Sequence, residues 1–219
     1  MNEALNPPRH RLGRTVAAAL GLSMAIAAQA APAGAEGAET LHYGFKGQTA
    51  EARFFTQQGC IGTEAFVHAV DGRVKVGAGR PDARSTLLVG VLRFDICTQQ
   101  VLGRALGFSE NLGGALDFDR LDGASLAATV QMRDLGTADS APYPMDIQLQ
   151  WTGIGEPFKA REHIMLDYPG FRVNSRESGT TRAADVTGVV SDGTTNYVSG
   201  AWAWGTLSSV TAGEVVILH

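Results

Sequence analysis

Trp202-Ala203-Trp204 is the part of this sequence that most directly suggests binding chemistry. Side chains two residues apart on a strand share a face, so the two indoles stand side by side. Gly200 and Ala201 before them and Gly205 after them leave space around the rings. Exposed, the pair makes a flat aromatic platform for stacking on sugar rings or other planar apolar ligands, and Tyr197 and Trp151 would extend it. Buried, the same residues are large core side chains with small neighbours. Burial is the commoner fate of aromatics at this spacing, and Trp151, which alternates with Met145, Ile147 and Leu149, is expected in the core. The ligand-binding candidates are therefore Trp202, Trp204 and Tyr197.

Residues for catalysis are sparse. The chain has no Gly-x-Ser-x-Gly, the motif of a nucleophile elbow. It has no His-Glu-x-x-His, because Glu162-His163 is followed by Ile164 and Met165, and no phosphate-cradling glycine loop with lysine. His42, His68, His163 and His219 are scattered, without ligand-like spacing. A sheet that brought His68 beside His163 or Asp95 would create acid/base chemistry that sequence alone does not reveal. Asp117, Asp119 and Asp122 suggest a calcium loop, but the third aspartate comes one residue late and no glutamate follows where an EF-hand needs one. A strand from Leu116 to Leu121 ending in an Asp-Gly turn accounts for them better. Arg172, Arg176 and Arg182 lie among serines and threonines, a pattern that suits an anionic ligand or a solvated strand. No catalytic residue, metal or cofactor is assigned.

Cys60 and Cys97 are the two cysteines, and an even count in an oxidising compartment favours pairing. A bridge between them stabilises by about 4 kcal/mol on a chain-entropy argument.

The elements that carry these residues read as strands. From Met145 to Thr152 every odd position is apolar and every even one polar, the signature of a strand with one buried face. Leu126–Arg133, Ile61–Val70, Leu87–Cys97 and Ala184–Val190 carry related stripes, and Val215–Leu218 reads as a closing strand. Asp71-Gly72, Asp122-Gly123, Asp192-Gly193, Gly113-Gly114, Gly153-Ile154-Gly155 and Pro169-Gly170 are the expected turns. Thr98–Leu106 is the best helix candidate, though it could equally be a strand edge. The expectation is an all-β domain of about ten to eleven strands, an antiparallel β-sandwich of jelly-roll or immunoglobulin-like type, with a closed β-barrel as the alternative.

The N-terminus supplies an address. Arg9, Arg11 and Arg14 precede an apolar stretch from Val16 to Ala28, and Ala28-Gln29-Ala30 offers a small-x-small cleavage site. The stretch falls short of the about 20 residues of a membrane-spanning helix. Residues 1–30 therefore read as a signal peptide and residues 31–219 as a single domain, without an integral membrane segment after cleavage. Cleavage lowers Lys+Arg from 18 to 15 and Asp+Glu from 22 to 21, giving a net charge of -6 instead of -4. An acidic chain without a basic run argues against nucleic acid as partner. Its Ala-, Gly- and Arg-rich, Lys-poor composition fits a bacterial source.

Together these readings predict a secreted, periplasmic or extracellular, non-catalytic protein that binds a ligand or partner outside the cytoplasm, with a carbohydrate or cell-surface partner in view. The alternatives are a secreted hydrolase of glycosidic or ester bonds and a structural or assembly protein whose edge strands pair with a partner.

Overall fold

The computed structural model describes residues 41–136, 140–168 and 171–218. The expected signal segment 1–30 and the Pro169-Gly170 turn lie outside them. Nine strands occupy most of the described chain: β1 Leu41–Gln58, β2 Ile61–Val76, β3 Asp82–Asp95, β4 Gln100–Glu110, β5 Leu116–Asp119, β6 Gly123–Asp134, β7 Tyr143–Tyr168, β8 Phe171–Ser191 and β9 Trp202–Leu218. They form one sheet in the order β4-β3-β2-β1-β9-β8-β7-β6-β5. β4 also pairs with β6, through Ala105–Asp134, Leu106–Arg133 and Gly107–Met132. That last pairing closes the sheet, so of the two expected all-β architectures the chain takes the barrel. Each strand is antiparallel to its neighbours, and β5 is a short flap on the start of β6.

Some expected breaks lie inside strands, which is why nine strands are described among these residues instead of ten or eleven. Asp71-Gly72 continues β2 opposite Gln48 and Gly47. Gly153-Ile154-Gly155 lies within β7, where the register with β8 shifts between Ile154 and Phe158. Asp122-Gly123 and Asp192-Gly193 do lie where the chain turns. The helix candidate Thr98–Leu106 is a strand from Gln100 onward. A stretch this short nucleates poorly as helix, whereas pairing with β3 satisfies its backbone.

The predicted alternation sets the two sides of the wall. Met145, Ile147, Leu149 and Trp151 of β7 face inward with Leu126, Val130 and Met132 of β6, Phe54 of β1, Val67 of β2, Leu87 and Val89 of β3 and Leu207 of β9. Burying one such side chain stabilises by about 1.5–3 kcal/mol. Inward alanines on β1 and β2 make room for them, so side chains fill the interior, as small barrels allow. Outward positions on β6 and β7 are polar: Ser125, Gln131, Asp146, Gln148 and Gln150 are exposed. Among the described residues, no helix is long and apolar enough to cross a membrane.

The predicted disulfide is present, with Cα atoms of Cys60 and Cys97 5.5 Å apart. It ties the β1–β2 turn to the β3–β4 turn at one end of the barrel. Ile96 N donates to Cys60 O at 2.7 Å, and Asp95 Oδ1 accepts from the Cys97 and Thr98 amides. A disulfide points to an oxidising, non-cytoplasmic environment.

Candidate functional site

Among the described residues the inward side chains form the core, and the exposed candidates lie on the outer wall. Trp202 and Trp204 stand at the start of β9 and face outward, 73% and 43% exposed. Strand geometry places them about 6.7 Å apart. Burial, the commoner fate at this spacing, does not apply to either. Their register partners on β1 are Phe55 and Arg53. The Phe55 ring lies 5.8 Å from Trp202, tilted by 44°, and 6.1 Å from Phe94, nearly parallel at 25°. These three aromatics from β9, β1 and β3 form one connected cluster beside the disulfide.

Polar groups lie within this face. Arg53 Nε donates to Glu51 Oε1 at 2.7 Å, and Arg53 Nη1 to Glu64 Oε1 at 3.1 Å. The guanidinium thus bridges a carboxylate on its own strand and one on β2. Glu51 is 4% exposed, and burial pushes its carboxyl pKa up while Arg53 pulls it down. His68 pairs across β1–β2 with Glu51 and across β2–β3 with Leu88. It is 3% exposed and neither ring nitrogen has a hydrogen-bond partner. Burial, aided by the Arg53 charge, lowers its pKa to about 4, so it is neutral near pH 7.

Tyr197 belongs to a different arrangement. It sits in the loop before β9, where its ring packs against the core and its hydroxyl donates to Asp192 Oδ2 at 2.8 Å. Burial and that hydrogen bond push its pKa up. Burial also pushes the Asp192 carboxyl up, but hydrogen bonds from Thr194, Thr195 and Tyr197 outweigh it and hold the pKa at about 2. Tyr197 and Asp192 thus brace the loop that delivers the chain to Trp202. Trp151 is in the core, as expected, and 2% exposed.

The other candidates separate. His68 pairs opposite Leu88, while Asp95 lies seven positions further along β3, so they make no acid/base pair. His163 is on the long β7–β8 hairpin, hydrogen-bonded to Asn174 at 2.9 Å. It lines an open groove of about 440 Å³ with Arg161, Arg176, Glu177 and Glu214. The two glutamates offset the arginines there, which weakens an anion site. Arg182 is a structural clamp: it donates to Asp122 and, at 2.9 Å, to Gly155 O, holding the β5–β6 turn against β7. Asp117 and Asp119 lie on β5, before the turn in which Asp122 N donates to Asp119 O. Cys60, Asp95 and Cys97 cluster closely enough to suggest metal ligands, but both sulfurs are committed to the disulfide.

The chain matches no family model, no curated protein and no solved structure.

Sequence reasoning missed Phe55, Phe94, Arg53 and Glu64. The local signal was the alternation Glu51-x-Arg53-x-Phe55, which puts three polar or aromatic side chains on one face of β1. What was missing was the pairing that sets them against Trp204 and Trp202.

Proposed function

We propose that this is a non-catalytic binding protein of the extracytoplasmic space that holds a carbohydrate ligand against its outer wall. The observation that carries this reading is Trp202: an indole 73% exposed, held in place by contact with Phe55. Leaving so large an apolar ring in water is unfavourable, and a ligand that covers it recovers that free energy. A pyranose suits the site because its C–H face stacks on an aromatic ring while its hydroxyls seek donors and acceptors at the rim. Arg53 and Glu64 supply both. The disulfide and the leader-like N-terminus support export.

The hydrolase alternative has less support. Glu51 and Glu64 converge, but the Arg53 guanidinium occupies the space between them. A glycosidase needs that space for the scissile bond.

The test is tryptophan fluorescence titrated with soluble polysaccharides, alongside pull-down on insoluble ones. Binding that Trp202→Ala and Trp204→Ala each weaken at least tenfold, about 1.4 kcal/mol, supports the reading. Release of reducing ends from a bound polysaccharide would overturn the non-catalytic part.

A further inference from the structure

The Trp202–Trp204 platform is one end of a longer strip. Two adjacent cross-strand rows run from it in register around the barrel wall. One row is Trp204, Arg53, Phe66, Gly90 and Leu106. The next is Trp202, Phe55, Glu64, Leu92 and Arg104. Both cross β9, β1, β2, β3 and β4, five neighbouring strands. At about 4.8 Å per strand gap, they extend about 19 Å, several sugar rings rather than one.

The strip is continuous because glycine lets a ring lie flat in the first row. A Cβ at Gly90 would collide with the Phe66 ring and stand 3.0 Å from Leu106 Cδ2. Phe66 therefore lies across the backbone of β3 and meets Leu106, which is 37% exposed. The charges on and beside the strip balance: Arg53 and Arg104 against Glu51 and Glu64. Rings alternate with these groups, so the face is amphipathic along its length.

We infer that this face binds an extended, uncharged polysaccharide chain lying across the strands, with Trp202 and Trp204 at one end, Phe66 midway and Leu106 at the other end. The inference rests on the reading of the tryptophans as a sugar platform. A lipid acyl chain fits less well, because the Arg53–Glu64 pair in the middle would lose water without gaining a polar partner. A chain of sugars offers C–H faces to the rings and hydroxyls to the ion pair in the same repeat.

The experiment uses the disulfide-intact protein and three oligosaccharide ladders, cello-, xylo- and malto-, from disaccharide to hexasaccharide, read by tryptophan fluorescence and calorimetry. For one ladder, affinity is expected to rise about tenfold or more with length, equivalent to 1.4 kcal/mol. Phe66→Ala and Leu106→Ser should weaken the hexasaccharide several-fold and leave the disaccharide unchanged. Leu106→Ser is the safer variant, since that side chain is already partly in water.

Affinity independent of length, still abolished by Trp202→Ala, overturns the inference and leaves the sugar platform standing. Tighter binding of polygalacturonate than of any neutral ladder overturns the uncharged assignment. If no ladder binds, and instead Trp202→Ala abolishes capture by phospholipid vesicles or concentration-dependent self-association, both the inference and the carbohydrate reading fall.

Discussion

Trp151 Nε1 donates a 2.8 Å hydrogen bond to the main-chain carbonyl of Glu51. The bond spans from β7 to β1 inside the barrel, and the indole passes over Gly205 of β9 to make it. A Cβ at Gly205 would stand 2.9 Å from Glu51 O and 3.1 Å from Trp151 Cδ1, and closer still to Val186. Glu51 is thus held from both sides of the wall, its carbonyl by the core and its carboxylate by Arg53 outside. The fixed floor of the aromatic face and the packing of the core share one residue.

Gly205→Ala should accordingly destabilise the protein by about 1–3 kcal/mol through overpacking. Trp151→Phe should cost about 2 kcal/mol, combining lost contact with the loss of its hydrogen bond to Glu51 O. Urea denaturation of each variant measures both. Wild-type stability in Gly205→Ala would show that the indole has room to move.

Arg53 should matter more to stability than an ordinary surface arginine. Arg53→Met leaves Glu51 nearly buried with its carboxylate unpaired, a loss of about 2–4 kcal/mol. Adding Glu51→Gln should recover part of it, because the uncompensated charge is then gone. A double-mutant cycle by denaturant titration reads the recovery, and strict additivity would refute the coupling.

His68 should make the protein sensitive to acid. Its pKa is lowered to about 4 in the folded chain, against the ordinary histidine value of 6.5 when unfolded. The folded state therefore binds fewer protons, so the stability is fully present above pH 6.5 and is lost as pH falls toward 4. The loss is on the order of 3 kcal/mol. Glu51 on β1 and Leu88 on β3 are its register partners, and the Arg53 charge on β1 acts on the ring. Glu51 acts in the opposite sense: its raised pKa gives stability below the unfolded value that is lost as pH rises. Denaturation across pH 4 to 7 should show a flatter acid limb in His68→Leu than in wild type. Identical slopes would remove His68 as the cause.

Reducing the disulfide, or replacing it in Cys60→Ser/Cys97→Ser, should lower stability by about 4 kcal/mol for a sequence separation of 37. The same change should loosen the turn beside Phe55 and Phe94, so ligand affinity should fall as well. Thermal unfolding with and without reductant, together with the fluorescence titration, measures both effects. An unchanged midpoint would mean that strand pairing alone holds that end.

The sequence by itself determined the all-β class, the inward stripe and the cysteine pair, but not where every strand begins and ends. Alternation from Met145 to Thr152 is local information: a two-residue period is fixed by the backbone, and polar even positions leave only one face to bury. Trp151 followed from the same pattern. Trp202-Ala203-Trp204 carries no such information, because alanine between two indoles marks neither face as wet. Only barrel closure decides it, since β4 meets β6 and thereby fixes which side of β9 is outside. Thr49, Glu51 and His68 fail in the other direction: their residue types suggest water, yet packing around the finished sheet buries them. Arg53 reaches Glu64 because β1 and β2 pair in one particular register. Register is a property of two strands together, and neither strand's sequence states it alone.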